Sequence, residues 1–216
     1  MSSGPELFKT EALSLDGHLP ELSDIVLGDD PVFLIGTLTL LDEKGELIDS
    51  YRIKIAPTGA YPNAFPLVYE INGRLPHNID WHIYSDGHFC IKAWPEELLI
   101  CNNGISLQQF IKEQILPYLF GQKFREVHGY FLNERSHGSE GNIEFFKDVF
   151  NTSDLNKIRQ HLEFISRKEK PNRVAKCFCG SGLKYRKCHR KAYQLLSNLS
   201  DAYLSLYIRM IESALC

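Results

Sequence analysis

Residues 177–189 read Cys-Phe-Cys-Gly-Ser-Gly-Leu-Lys-Tyr-Arg-Lys-Cys-His, and no other stretch restricts the fold as tightly. Three thiols and one imidazole make a complete tetrahedral donor set, so the backbone must fold until Cys177 and Cys179 face Cys188 and His189. Gly180-Ser181-Gly182 supplies the tight turn between the two pairs. With four protein donors no coordination position stays open, which predicts a structural Zn2+ rather than a catalytic one. The competing reading is a cluster of redox thiols. The six cysteines stand at 90, 101, 177, 179, 188 and 216. Three of them beside one histidine suit a metal site in a reducing compartment better than a disulfide framework, which predicts a cytoplasmic protein.

Charge divides the chain. Residues 1–166 carry 13 Lys and Arg against 24 Asp and Glu. Residues 167–191 carry ten Lys and Arg against Glu169 alone. An acidic body with a basic module suggests two surfaces with different partners. The basic stretch would suit phosphate contacts of a nucleic acid, but only Phe178 and Tyr185 offer stacking surfaces, and a solvated basic face accounts for it equally well. No apolar run approaches ~18 residues, so no segment is expected to span a membrane. Met1-Ser2-Ser3-Gly4-Pro5 lacks the basic and apolar regions of an export signal.

Local patterns outline the rest. Leu7, Leu13, Leu19, Leu22 and Ile25 suggest short helical turns broken by Gly17 and Pro20. Strand formers at 32–41, the turn Asp42-Glu43-Lys44-Gly45-Glu46 and alternation over Leu47–Ile55 predict a hairpin. A Pro-rich crossing from Pro57 to Pro66 leads to a third strand over Leu67–Ile71. Asn72 to Asp86 reads as a long ordered loop, more often functional than accidental. Trp94–Leu99 suggests a short helix. Ser106 caps a helix to about Phe120 that buries Leu107, Phe110, Ile111, Ile115 and Leu119, with a bend at Pro117. Short helices follow over Phe145–Phe150 and Leu155–Ser166, and an amphipathic helix runs from Ala192 to Leu215.

The loop ends in His82-Ile83-Tyr84-Ser85-Asp86-Gly87-His88-Phe89-Cys90-Ile91. A thiol with two imidazoles and a carboxylate this close is a candidate nucleophile. In that reading His88 or His82 lowers the thiol pKa, and Asp86 orients or deprotonates an attacking amine. The alternative is a buried core cysteine. Cys101 reads as a packing residue and as the reserve thiol, while Cys216 is incidental. His128 and Glu134–His137 form a polar cluster that fixes a loop or covers the Cys90 site.

Two resemblances add to these readings. Cys-x-Cys-Gly-Ser-Gly, the basic run Lys184–Lys187 and the closing Cys-His are similar to the SEC-C zinc motif of the SecA translocase C-terminus; Phe178 stands where proline is usual and Arg190 where glycine is common. The resemblance implies a docking module for protein partners or the ribosome. The second rests on Tyr61-Pro62…Phe65-Pro66, the strand, the long loop, Gly87-x-x-Cys90, Trp94 and the helix after it. That order resembles ubiquitin-conjugating (UBC) enzymes, over roughly residues 20–150. With Asp86–Ile91 and Glu134-Arg135-Ser136-His137-Gly138 it resembles prokaryotic relatives carrying a SEC-C tail, which occur in ubiquitin-like conjugation and anti-phage CBASS operons. The resemblance implies an α+β fold, a UBC-like antiparallel β-meander with flanking helices, over 1–150. A connecting helix and linker would occupy 151–173, and the zinc module with the C-terminal helix 174–216. It places Cys90 on the thioester-forming cysteine and Gly87 on the glycine before it. It also implies a ubiquitin-like modifier or operon partner protein and an activating enzyme. His82 occupies the position of the family's oxyanion-stabilising asparagine; a placed donor of another type can serve, and a loop path returning Asn78 to the site is the alternative. The readings carried forward are a conjugating enzyme, an inactive scaffold or adaptor recruiting partners through the zinc module, a cysteine hydrolase using Cys90 with His82 or His137, and an RNA- or ribosome-associated factor.

Overall fold

The computed structural model describes residues 4–15, 17–132 and 134–215. Met1–Ser3, read above for an export signal, and Cys216 lie outside them. The chain is α+β and divides into two compact units: residues 1–92 with 103–134, and residues 93–102 with 135–216.

The first unit is built on a four-stranded antiparallel meander, β1 (Leu22–Asp29), β2 (Val32–Leu41), β3 (Leu47–Ala56) and β4 (Leu67–Glu70), in sequential order. Period-two alternation decides its inner face. Leu34, Leu38 and Leu40 of β2 point inward with Tyr51, Ile53 and Ile55 of β3, and Leu34 pairs with Ile55 and Leu38 with Tyr51 across the ladder. Burying each such side chain contributes roughly 1.5–3 kcal/mol. Gly36 stands in the same row because Leu22 of β1 packs over it; a Cβ there would lie 2.5 Å from Leu22 Cδ1. β4 ends on Glu70, which also points inward. Its carboxylate accepts the backbone N–H groups of Asn72, Arg74 and Leu75, so the buried charge organises the start of the long loop.

The helical turns expected at Leu7 and Leu13 are one helix, α1 (Gly4–Ser14), whereas Leu22 and Ile25 lie in strand β1. The period-two signal of β1 is broken by a bulge between Ser23 and Val26, where Asp24 has φ 51° and its carboxylate accepts from the Thr37 hydroxyl.

After the loop, α3 (Leu107–Phe110) starts at Ser106, whose hydroxyl accepts from Gln109 N, as expected. Leu107, Phe110, Ile111, Ile115 and Leu119 are all buried. Pro117 has no N–H, and its ring would crowd the carbonyl one turn back. The chain accommodates it with a π-helical stretch over Ile111–Ile115, continuing as α4 (Leu116–His128) to a left-handed Gly129.

The second unit is helical: α2 (Trp94–Ile100), α5 (Gly138–Phe150), α6 (Leu155–Ser166), α7 (Arg190–Leu196) and α8 (Asp201–Ser213). The helix expected over Ala192–Leu215 is two helices. Ser200 accepts from Tyr203 N and starts α8, and the Lys168 ammonium donates to the carbonyls of Ser197 and Leu199 at the break. Phe146, Ile158, Leu162, Ile165, Leu196, Leu204, Tyr207 and Ile211 form the core, with Cys177, Tyr185 and Tyr193 buried in the same cluster. Among the described residues no helix is long and apolar enough to cross a membrane.

Candidate functional site

Two sites stand in the two units, and each is built from its own residues. In the first unit, the loop after β4 folds into a 3-10 turn over Ile79–Trp81. The Asn78 side chain caps it by accepting from Asp80 N at 2.9 Å. The Asn78 oxygen thereby holds the start of the turn that leads to His82. His82 ends the turn in the left-handed region (φ 53°, ψ 37°), a conformation uncommon for a residue with a Cβ. Its carbonyl accepts twice, from Cys90 N at 2.7 Å and from the Tyr118 hydroxyl at 2.8 Å. The His82 ring meets the edge of Phe131 at 4.9 Å.

The chain then reverses at Tyr84–Gly87, with Gly87 N donating to Tyr84 O and Tyr84 N to His88 O, both at 2.9 Å. Gly87 is favoured by its φ of 91°, and a Cβ there would displace the exposed His77 ring, 2.6 Å away. Phe89 is buried, donates its N–H to Val68 O of β4 and stacks on Tyr118 at 4.6 Å. Cys90 follows, half-buried, with its Sγ and a His82 ring nitrogen within 4.8 Å of each other. Asp86 and His88 pair with one another, Oδ1 to Nδ1 at 2.6 Å, and this hydrogen bond holds the Asp86 carboxyl below the usual carboxylate range. Of the residues singled out by spacing, Cys90 stands with His82 and Asp86 with His88. His77 and Tyr118 carried no such signal; Tyr118 is 36 residues from the carbonyl it holds. Cys101, the reserve thiol, is 0% exposed; burial, aided by the Glu97 carboxylate, pushes it up to about 12.

In the second unit, Cys177 N donates to Leu183 O, closing the Gly180–Gly182 turn. The donors converge: His189 Nδ1 lies 3.5 Å from Cys177 Sγ and 3.4 Å from Cys188 Sγ, and Cys179 Sγ lies 3.6 Å from Cys188 Sγ. All four donor atoms fall within 4.8 Å of one another. A tetrahedral zinc with bonds of about 2.3 Å to sulfur and about 2.0–2.1 Å to nitrogen sets donor–donor edges of about 3.6–3.8 Å. The donor set therefore fits the ion. The ring is also oriented for it: His189 Nε2 faces the Phe150 carbonyl at 3.2 Å, which takes the N–H and leaves the Nδ1 lone pair on the sulfur side. Ser181 Oγ sits 3.2 Å from Cys179 Sγ. Phe178 has a role its position in the motif did not announce. It stacks on Phe164 of α6 at 4.4 Å and 11°, anchoring the loop to the helical core. Buried His161 packs against the His189 ring at 4.8 Å, and burial pushes its imidazole down to about 4.

An α+β chain with a closed Cys3His cluster is the class this geometry defines. The family model of the SEC-C motif matches residues 175–191, a span that contains all four donors. The SEC-C motif is a zinc-binding motif, and this cluster could hold the metal. Comparison with curated proteins found no match, nor did comparison with solved structures.

Proposed function

We propose that the chain is a ubiquitin-conjugating-like acyl carrier, forming a thioester on Cys90 and transferring the acyl group to an amine. The observation that carries the reading is the placement of Cys90. A half-buried thiol follows an antiparallel meander and an ordered loop, with the His82 imidazole within 4.8 Å. A thiol beside an imidazole is the arrangement that activates a sulfur nucleophile.

Cys90 gives its proton to His82, and the thiolate attacks the carbonyl carbon of an arriving modifier thioester. A new C–S bond forms, and the activating enzyme's sulfur leaves as thiolate. An amine then attacks the same carbon, the C–N bond forms, and Cys90 departs. His82 donates a hydrogen bond to the oxyanion formed when the amine attacks, taking the role of the asparagine. Cys177, Cys179, Cys188 and His189 hold a structural zinc, which supplies no reaction step and keeps the module folded. That module docks a partner, a ubiquitin-like modifier or an operon partner protein, in a cytoplasmic, CBASS-like anti-phage setting.

One observation favours a second reading, an inactive scaffold of the same fold: His82 stands at the position of the family's asparagine, so the donor that position normally supplies is replaced. The discriminating experiment is a non-reducing gel of the protein with a candidate activating enzyme, a ubiquitin-like modifier and ATP. The conjugating reading expects a DTT-sensitive band absent from Cys90→Ala. No band with any operon-encoded modifier favours the scaffold.

A further inference from the structure

We propose that His88 is the proton acceptor for the amine that discharges Cys90, and that Asp86 is its positioning residue; the proposal rests on Cys90 carrying a thioester. Burial alternates along the segment: Gly87 and Phe89 are buried, His88 and Cys90 half-buried. In extended backbone, side chains two residues apart share a face. His88 and Cys90 therefore share the face opposite buried Phe89.

The His88 ring is held from three directions. Nδ1 lies 2.6 Å from Asp86 Oδ1, Tyr84 stacks on the ring at 4.2 Å and 21°, and the Tyr69 ring meets it edge-on at 6.3 Å. Fixing a half-exposed side chain this way opposes its conformational entropy. With the Nδ1 proton given to the carboxylate, the lone pair is on Nε2. Asp86 Oδ1 also accepts from His88 N at 3.3 Å. The carboxylate is thus occupied in orienting the imidazole, and the role of receiving the amine proton passes from Asp86 to His88. The two histidines then divide the reaction: His82 serves the thiol, His88 the amine.

The step balances without a further reactant. The amine nitrogen attacks the thioester carbon, and one N–H proton moves to His88 Nε2, whose imidazolium is stabilised by Asp86. The C–S bond breaks, and the Cys90 thiolate leaves and takes that proton back. The product is an amide.

The test uses the full chain, charged by N-acetylglycyl benzyl thioester and followed by intact mass and by mapping of the Cys90 peptide. Discharge is timed with free lysine and with hydroxylamine, which attacks without a base. The proposal expects His88→Ala and His88→Gln to slow lysine discharge about a hundredfold. Hydroxylamine discharge should be unchanged, and added imidazole should restore His88→Ala. Asp86→Asn should slow lysine discharge and Asp86→Glu should recover it. Wild-type lysine rates in both His88 variants overturn the proposal and leave the thioester reading intact. Equal loss with both nucleophiles, unrescued by imidazole, overturns it as well. Failure to charge Cys90 at all overturns the reading beneath it.

Discussion

At Cys90 and Cys101 one side chain meets two environments. Cys90 is half-buried beside an imidazole; Cys101 is 0% exposed with its thiol pushed up to about 12. Relative to an ordinary thiol near 8.5, a pKa of about 12 leaves roughly a thousandfold less thiolate at pH 8. Iodoacetamide at pH 8 should therefore label Cys90 and leave Cys101 intact, as read by peptide mass mapping; equal labelling would remove the distinction. Gly87 is the other critical residue. Alanine there must adopt a left-handed φ, so Gly87→Ala should lower the stability of the first unit by about 1–3 kcal/mol in urea titration. An unchanged midpoint would show that the turn relaxes freely. The candidate site's side chains were legible because they are local, within nine residues. Tyr118, which holds the His82 carbonyl, comes from α4, and no periodicity announces such a contact.

Between elements, the densest polar linkage ties β3, the long loop and α4. Arg74 donates to Asp49 and Glu126, Lys123 pairs with Asp49 at 2.6 Å, and the Tyr51 hydroxyl donates to Glu126. Arg74 holds the Asp49 carboxyl well below the usual range, against the opposing effect of burial and with help from Lys123. Because the folded-state pKa is depressed, the unfolded chain takes up the proton first. The stability from Asp49 is present above about pH 4 and is lost as pH falls further. Asp49→Asn should cost about 1–3 kcal/mol at neutral pH and flatten the acid limb of a stability profile; a variant as acid-sensitive as wild type would contradict this. The elements themselves were legible where one period persisted. β2, β3 and α6 stand where their patterns put them. β1 was missed because its bulge at Asp24 breaks the alternation, and the break between α7 and α8 was missed because apolar spacing continued across a Ser-capped boundary.

For the molecule as a whole, the zinc motif is part of a core rather than a loose appendage. Cys177 and Tyr185 are buried with Phe146 and Tyr207, and Phe178 stacks on α6. Removing metal should loosen the helical unit, since four unbridged donors cannot hold the loop against Phe164. Trp94 reports on that unit through edge contacts with Tyr203 and Tyr207 at 5.4 and 6.0 Å. In a Trp81→Phe background, chelation should shift Trp94 emission and lower the unit's Tm, and added zinc should reverse both. Emission indifferent to chelation would separate the motif from the core. At this scale the sequence showed the metal donors plainly, since ligand spacing is local, and hid that residues 93–102 belong to the helical unit. The central claim is that Cys90 accepts an acyl group, and the most direct measurement is the intact mass of the protein after incubation with N-acetylglycyl benzyl thioester. The account predicts one added acyl group mapping to Cys90, removed by DTT and absent from Cys90→Ala. An adduct formed equally by Cys90→Ala, or none on the folded protein, would contradict it.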